Sequence, residues 1–113
     1  MNIPIAKPYL GIEEESAAVE AIRSGWGSQG PKVKEFEEMF AGYVGARYGV
    51  ATTSCTTALH AALVVSGIST GDEVIVPSLS FIATANSVVH AGAMPVFADI
   101  EGKCTFSVDL DQD

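Results

Sequence analysis

Four consecutive side chains in this sequence could do chemistry: Thr53, Ser54, Cys55 and Thr56, with Thr57 directly behind them. They separate two segments of different character. Gly49-Val50-Ala51-Thr52 is short, apolar and β-branched and reads as a buried strand. Beyond the hydroxyls, Leu59 and Leu63 stand four apart with Ala58, Ala62 and Val65 around them, the spacing of a helix. A strand running straight into a helix through small polar residues leaves the first helical N–H groups open. With the helix dipole behind them, those donors favour an anion such as a phosphate. The same residues equally suit a plain cap, with Thr53 or Ser54 accepting from an early N–H. On the residues alone the plain cap is the ordinary reading, and the phosphate reading draws its support from the rest of the chain.

Other reactive side chains are more isolated. His60 and His90 each stand alone on a predicted helix, and both are expected to be packed or half-exposed rather than ligating. Asp99 closes a predicted strand, where a carboxylate either orients a substrate or caps the following loop. Cys55 could be made reactive by the helix dipole, although a small buried thiol is the ordinary case. Cys55 and Cys104 fit no metal-binding or CxxC spacing and are read as free thiols.

The elements that position these residues follow from periodicity and punctuation. Glu13, Glu14 and Glu15 crowd the start of a helix whose apolar positions are Ile12, Val19 and Ile22, with Gly25 beyond its end. Gly25-Trp26-Gly27-Ser28-Gln29-Gly30 matches the dinucleotide pattern G-x-G-x-x-G. That fingerprint follows a strand, however, and here a helix precedes it; Gly49-Val50-Ala51 also stand where its acidic residue belongs. The stretch therefore reads as a loop whose Trp26 either covers a core edge or lines a site.

Pro31 opens a second helix in which Val33, Phe36, Phe40 and Tyr43 or Val44 recur every three or four residues, ended by Gly45. The helix after the hydroxyl run closes at Gly67, and Gly71-Asp72 turns the chain into the strand Glu73-Val-Ile-Val-Pro77. Ser78 to Phe81 form a loop, a helix covers about Ile82 to His90 with Asn86 inside it, and Met94 to Asp99 form a further strand. Alternating strands and helices predict a parallel sheet with helical cover, an α/β fold. Ligands in such sheets sit beyond the carboxyl ends of the strands. Thr52 to Thr57, Pro77 to Phe81 and Asp99 are expected there, an arrangement suited to a phosphate joined to a flat ring.

Composition bounds the rest. The chain has 113 residues, at most one domain's worth, and its hydrophobic share of 48% allows a real core. A formal charge of −8 argues against a nucleic-acid surface. No apolar run approaches the roughly 20 residues that span a bilayer, so no membrane partner is expected. The opening residues lack the apolar core of a signal peptide, which gives a cytoplasmic expectation.

Three ordered stretches carry a family resemblance. Thr53-Ser-Cys-Thr-Thr-Ala-Leu-His60, Gly71-Asp-Glu-Val-Ile-Val-Pro-Ser-Leu-Ser-Phe-Ile-Ala-Thr-Ala-Asn86 and Gly92-Ala-Met-Pro-Val-Phe-Ala-Asp99 strongly resemble the DegT/DnrJ/EryC1/StrS aminotransferases. These are pyridoxal-phosphate enzymes of fold type I that mostly aminate nucleotide-bound keto-sugars. Ser24-Gly-Trp-Gly-Ser-Gln-Gly-Pro31 also looks like that family's access loop.

The resemblance implies that Ser54, Cys55, Thr56 and Thr57 hold the cofactor phosphate. Phe81 is similar to the aromatic that stacks on the pyridine ring, and Asn86 to a supporting residue. It also implies a nucleotide-sugar substrate, an amino-acid donor and a homodimer. Residues 1–30 correspond to an N-terminal helix and access loop, and 31–113 to part of the cofactor-binding large domain. Family members are much longer, and their Schiff-base lysine and the aspartate on the pyridinium nitrogen lie beyond this chain. None of Lys7, Lys32, Lys34 or Lys103 occupies the lysine position, so no catalytic residue is expected here. In the family's sheet, strand 49–52 is separated from strands 73–77 and 94–97 by strands supplied later. Two other functions stay open: a dehydratase of the same family, and a non-enzymatic phosphate-binding module.

Overall fold

The computed structural model describes residues 6–101. The expectations for Lys103, Cys104 and most of the acidic tail lie outside the described residues. Two compact units meet in sequence between Ala51 and Thr52.

The first unit contains α1 (Ile12–Arg23) and α2 (Pro31–Val44). At the start of α1 the Glu14 carboxylate reaches back to accept the Gly11 N–H at 2.6 Å, half of a capping box. That backbone hydrogen bond holds the Glu14 carboxyl below its ordinary pKa. Pro31 occupies the first turn of α2, and Gly45 caps its end in the left-handed conformation, φ 71°, where a side chain would be strained. The apolar stripes predicted for both helices form, but much of each is uncovered: Ile12, Ile22, Phe36, Phe40 and Tyr43 are all exposed. Phe36 and Phe40 stack on each other, with centroids 5.7 Å apart.

Residues 49–52 do not form the expected strand. A strand exists only where a neighbour completes its hydrogen-bond ladder, and none of the described strands pairs with this segment. It lies along α2 instead. The Ala51 N–H donates to the Glu37 carboxylate at 2.8 Å, and Gly49 sits so close to the Glu37 carbonyl that a Cβ there would lie 2.6 Å from the oxygen.

The second unit is a β-α-β arrangement preceded by a helix. It comprises α3 (Cys55–Val65), β1 (Glu73–Pro77), α4 (Ala83–His90) and β2 (Met94–Ala98). The two strands pair in parallel with Glu73 opposite Met94 and Pro77 opposite Ala98, as the alternation predicted. The ladder is extended at both ends: the Met94 N–H donates to the Asp72 carbonyl at 2.9 Å, and Ser78 to Ala98 at 2.8 Å. Val76, Val88 and Ala93 form the buried cluster, with Leu63, Ile68 and Val74 packed against it. Gly92 turns α4 into β2 with φ 82°, and a Cβ there would also meet the Thr70 hydroxyl at 2.9 Å. The core that composition allows is small among the described residues; on the far side of the pair Ile75 is exposed. Parallel strands are normally covered on both faces.

Candidate functional site

Ser54 is the N-cap of α3, which makes Cys55, Thr56 and Thr57 its first turn. The turn is closed by a reciprocal pair. Thr57 N–H donates to Ser54 Oγ at 3.2 Å, and Ser54 N–H donates to Thr57 Oγ1 at 3.0 Å. The Thr57 hydroxyl in turn donates to the Ser54 carbonyl at 2.7 Å, and the Thr52 hydroxyl to the same carbonyl at 2.9 Å. Thr53 Oγ1 lies 3.3 Å from Thr57 Oγ1. Four hydroxyl residues thus lock one turn of backbone. The capping reading of Ser54 is correct, and it does not use up the turn. Among the described hydrogen bonds, the N–H groups of Cys55 and Thr56 and the Thr56 hydroxyl have no partner. These unpaired donors sit at the positive end of α3. No carboxylate occurs between Thr52 and Leu63 to repel an anion.

Cys55 is exposed, against the default of a buried thiol. Thr56 is half-buried.

The aromatic lies in the same unit. Phe81 follows β1 by a short loop, immediately before α4, and is 78% exposed. So large an apolar ring left uncovered has a free face. Asn86 is also exposed, in the first half of α4. Phe81 lies just past the carboxyl end of β1. The other end of α3 leads through Ser69, whose N–H donates to the Asp72 carboxylate at 2.8 Å, into the amino end of the same strand. Asp99 at the end of β2 accepts the Ile100 N–H at 2.8 Å, so it caps its own loop.

Among the described residues the lysines lie in the first unit. Lys32 is paired with Glu35 at 3.3 Å and Glu20 at 3.7 Å, and Lys34 with Glu38 at 3.8 Å. Glu35 above all, then Glu20, raises the Lys32 pKa above the ordinary value. A lysine that attacks a carbonyl must be a free amine; Lys32 is held as a cation. In the same unit Trp26 lines a cavity of about 290 Å³ with Ser24, Ser28 and Lys32. Its ring rests against Gly30, where a Cβ would come within 3.0 Å.

A self-capped turn of hydroxyls with free amides is thus followed, after the next strand, by an exposed aromatic. A sequence model of the DegT/DnrJ/EryC1/StrS aminotransferase family matches residues 8–112. The chain belongs to this family. The spore coat polysaccharide biosynthesis protein SpsC of Bacillus subtilis is 50% identical over 107 residues, covering 95% of this chain and 27% of that protein. GDP-perosamine synthase of Caulobacter vibrioides is 46% identical, with 96% of this chain and 29% of that protein covered. Among solved structures, Spr1654 of Streptococcus pneumoniae in its PLP form superposes with a TM-score of 0.88 at 39% identity. It covers 98% of this chain and 28% of that one. The chain therefore spans under a third of the length of the family members it matches, and it is an α/β portion of their fold.

Proposed function

We propose that this chain is the N-terminal part of a pyridoxal-phosphate-dependent aminotransferase that places an amino group on a nucleotide-linked keto-sugar, with an amino acid as donor. The observation that carries the reading is the first turn of α3, with unpaired Cys55 and Thr56 amides on a turn that Ser54 and Thr57 hold rigid. The donor set fits a phosphate, which needs N–H and O–H groups without nearby carboxylates. The exposed ring of Phe81 fits a flat aromatic partner.

In this reading Ser54, Cys55, Thr56 and Thr57 form the phosphate cup, Phe81 covers the ring and Asn86 supports that cover. When bound, the cofactor supplies the electron sink for amino transfer. The role of the residues described here is to bind and orient it. Residues 1–30 then form the N-terminal helix and access loop, and 31–113 part of the cofactor-binding domain. The name of GDP-perosamine synthase supports a nucleotide-linked sugar. A homodimer in the cytoplasm belongs to the same reading. Among the described residues no helix is long and apolar enough to cross a membrane.

The enzyme, supplied with an amino acid and a nucleotide-linked keto-sugar, is expected to yield the amino-sugar. Loss of water from the sugar without gain of nitrogen would replace this reading with the dehydratase. Turnover of neither kind, with phosphate still bound, would leave the non-enzymatic module.

A second test concerns the lysines. The 113-residue chain mixed with pyridoxal phosphate and reduced with borohydride is expected to show no single stoichiometric lysine adduct by mass mapping. One adduct at full occupancy on Lys7, Lys32, Lys34 or Lys103 would mean that the chain carries its own reactive lysine, and the N-terminal-part reading would fall.

A further inference from the structure

His60 and His90 are far apart in sequence but not in space. Their rings come together where α3 packs on α4, with centroids 5.9 Å apart and planes tilted by 50°. His60 is half-buried and His90 exposed at the last turn of α4. Among the described hydrogen bonds neither imidazole has a partner, so nothing fixes either ring by its nitrogens. The proposed cofactor cup uses neither residue.

We propose that His60 and His90 form a two-imidazole site for a divalent transition-metal ion of borderline softness, such as Zn²⁺ or Ni²⁺. Imidazole nitrogen is the commonest protein ligand for such ions. Metal–nitrogen bonds of about 2.0–2.1 Å put the centroids of two rings on one tetrahedral ion roughly 5 Å apart. The observed separation exceeds that by less than about 1 Å, which side-chain torsions on adjacent helices can close. No cluster of three or more His, Cys, Asp or Glu side chains occurs among the described residues. With two imidazoles as its ligands from the described residues, the ion leaves its other positions to water and is exchangeable. Its structural effect is to tie α3, which carries the phosphate cup, to α4, which follows Phe81.

The probe is Ni²⁺, titrated calorimetrically into the cofactor-bound enzyme after chelator treatment. One ion per chain is expected, with affinity falling at least about tenfold in His60→Gln and equally in His90→Gln, since each removes half of the protein ligands. His90 is exposed at a helix end, so His90→Gln keeps the test valid should His60→Gln misfold. Unchanged binding in His90→Gln, or no stoichiometric binding by the unmodified enzyme, would overturn the proposal.

Discussion

Produced alone, the 113-residue chain is expected to melt gradually and to self-associate, with no sharp monomeric transition. The reason is surface. Little of the chain's apolar surface is buried among the described residues. Its buried apolar residues in the described part are Ala41, Val76, Ala83, Val88 and Ala93, all small or medium in size. Burial on this scale does not offset the conformational entropy of ordering so many residues. Trp26, Phe36, Phe40, Ile75 and Phe97 are meanwhile left uncovered, and both strands keep an open edge that can pair with another chain. Calorimetry with light scattering checks this. A reversible, concentration-independent transition in the ordinary range of about 45–65 °C would show that the chain is self-sufficient.

The second large effect concerns the cofactor. In the enzyme, Thr56→Val is expected to weaken pyridoxal-phosphate binding roughly 10- to 150-fold, the equivalent of losing a hydrogen bond to a charged group, about 1.5–3 kcal/mol. Valine keeps the shape of threonine, and no described partner of the Thr56 hydroxyl is lost, so the melting temperature is expected to hold. Ser54→Ala should behave differently. It removes the cap of α3 and is expected to cost about 0.5–2 kcal/mol of stability as well as affinity. Phe81→Ala is expected to weaken binding by about 2- to 12-fold through lost stacking, about 0.5–1.5 kcal/mol, again with little effect on folding because the ring is exposed. Equilibrium dialysis of the cofactor beside thermal melts separates the cases. A Thr56→Val enzyme that melts early but binds normally would make Thr56 a structural residue.

Much of this was legible in the sequence because it is local. Period and punctuation gave α1, α2, α3 and α4 within a residue or two. The β-branched run Val74-Ile75-Val76 and the turn at Gly71-Asp72 marked β1. What the sequence misplaced depends on partners. Gly49 to Thr52 have the composition of a strand, but a strand needs a neighbour, and without one their backbone turns to Glu37. The apolar stripes of α1 and α2 were readable, yet periodicity says which face is apolar and not whether anything covers it. His60 and His90 are solitary in the sequence because only the packing of α3 on α4 brings them together. That Thr53 or Ser54 could cap α3 is visible from residue type; that Ser54 does so with Thr57 as its reciprocal partner, leaving the Cys55 and Thr56 amides free, needed coordinates.

The most direct measurement is a structure of the enzyme with pyridoxal phosphate bound. The expected result places the phosphate about 2.7–3.2 Å from the amides of Cys55 and Thr56, with the ring of Phe81 stacked on the pyridine. A phosphate held elsewhere in the fold, or Phe81 on the opposite edge of the sheet from Thr56, would contradict the assignment of this turn as the cofactor cup.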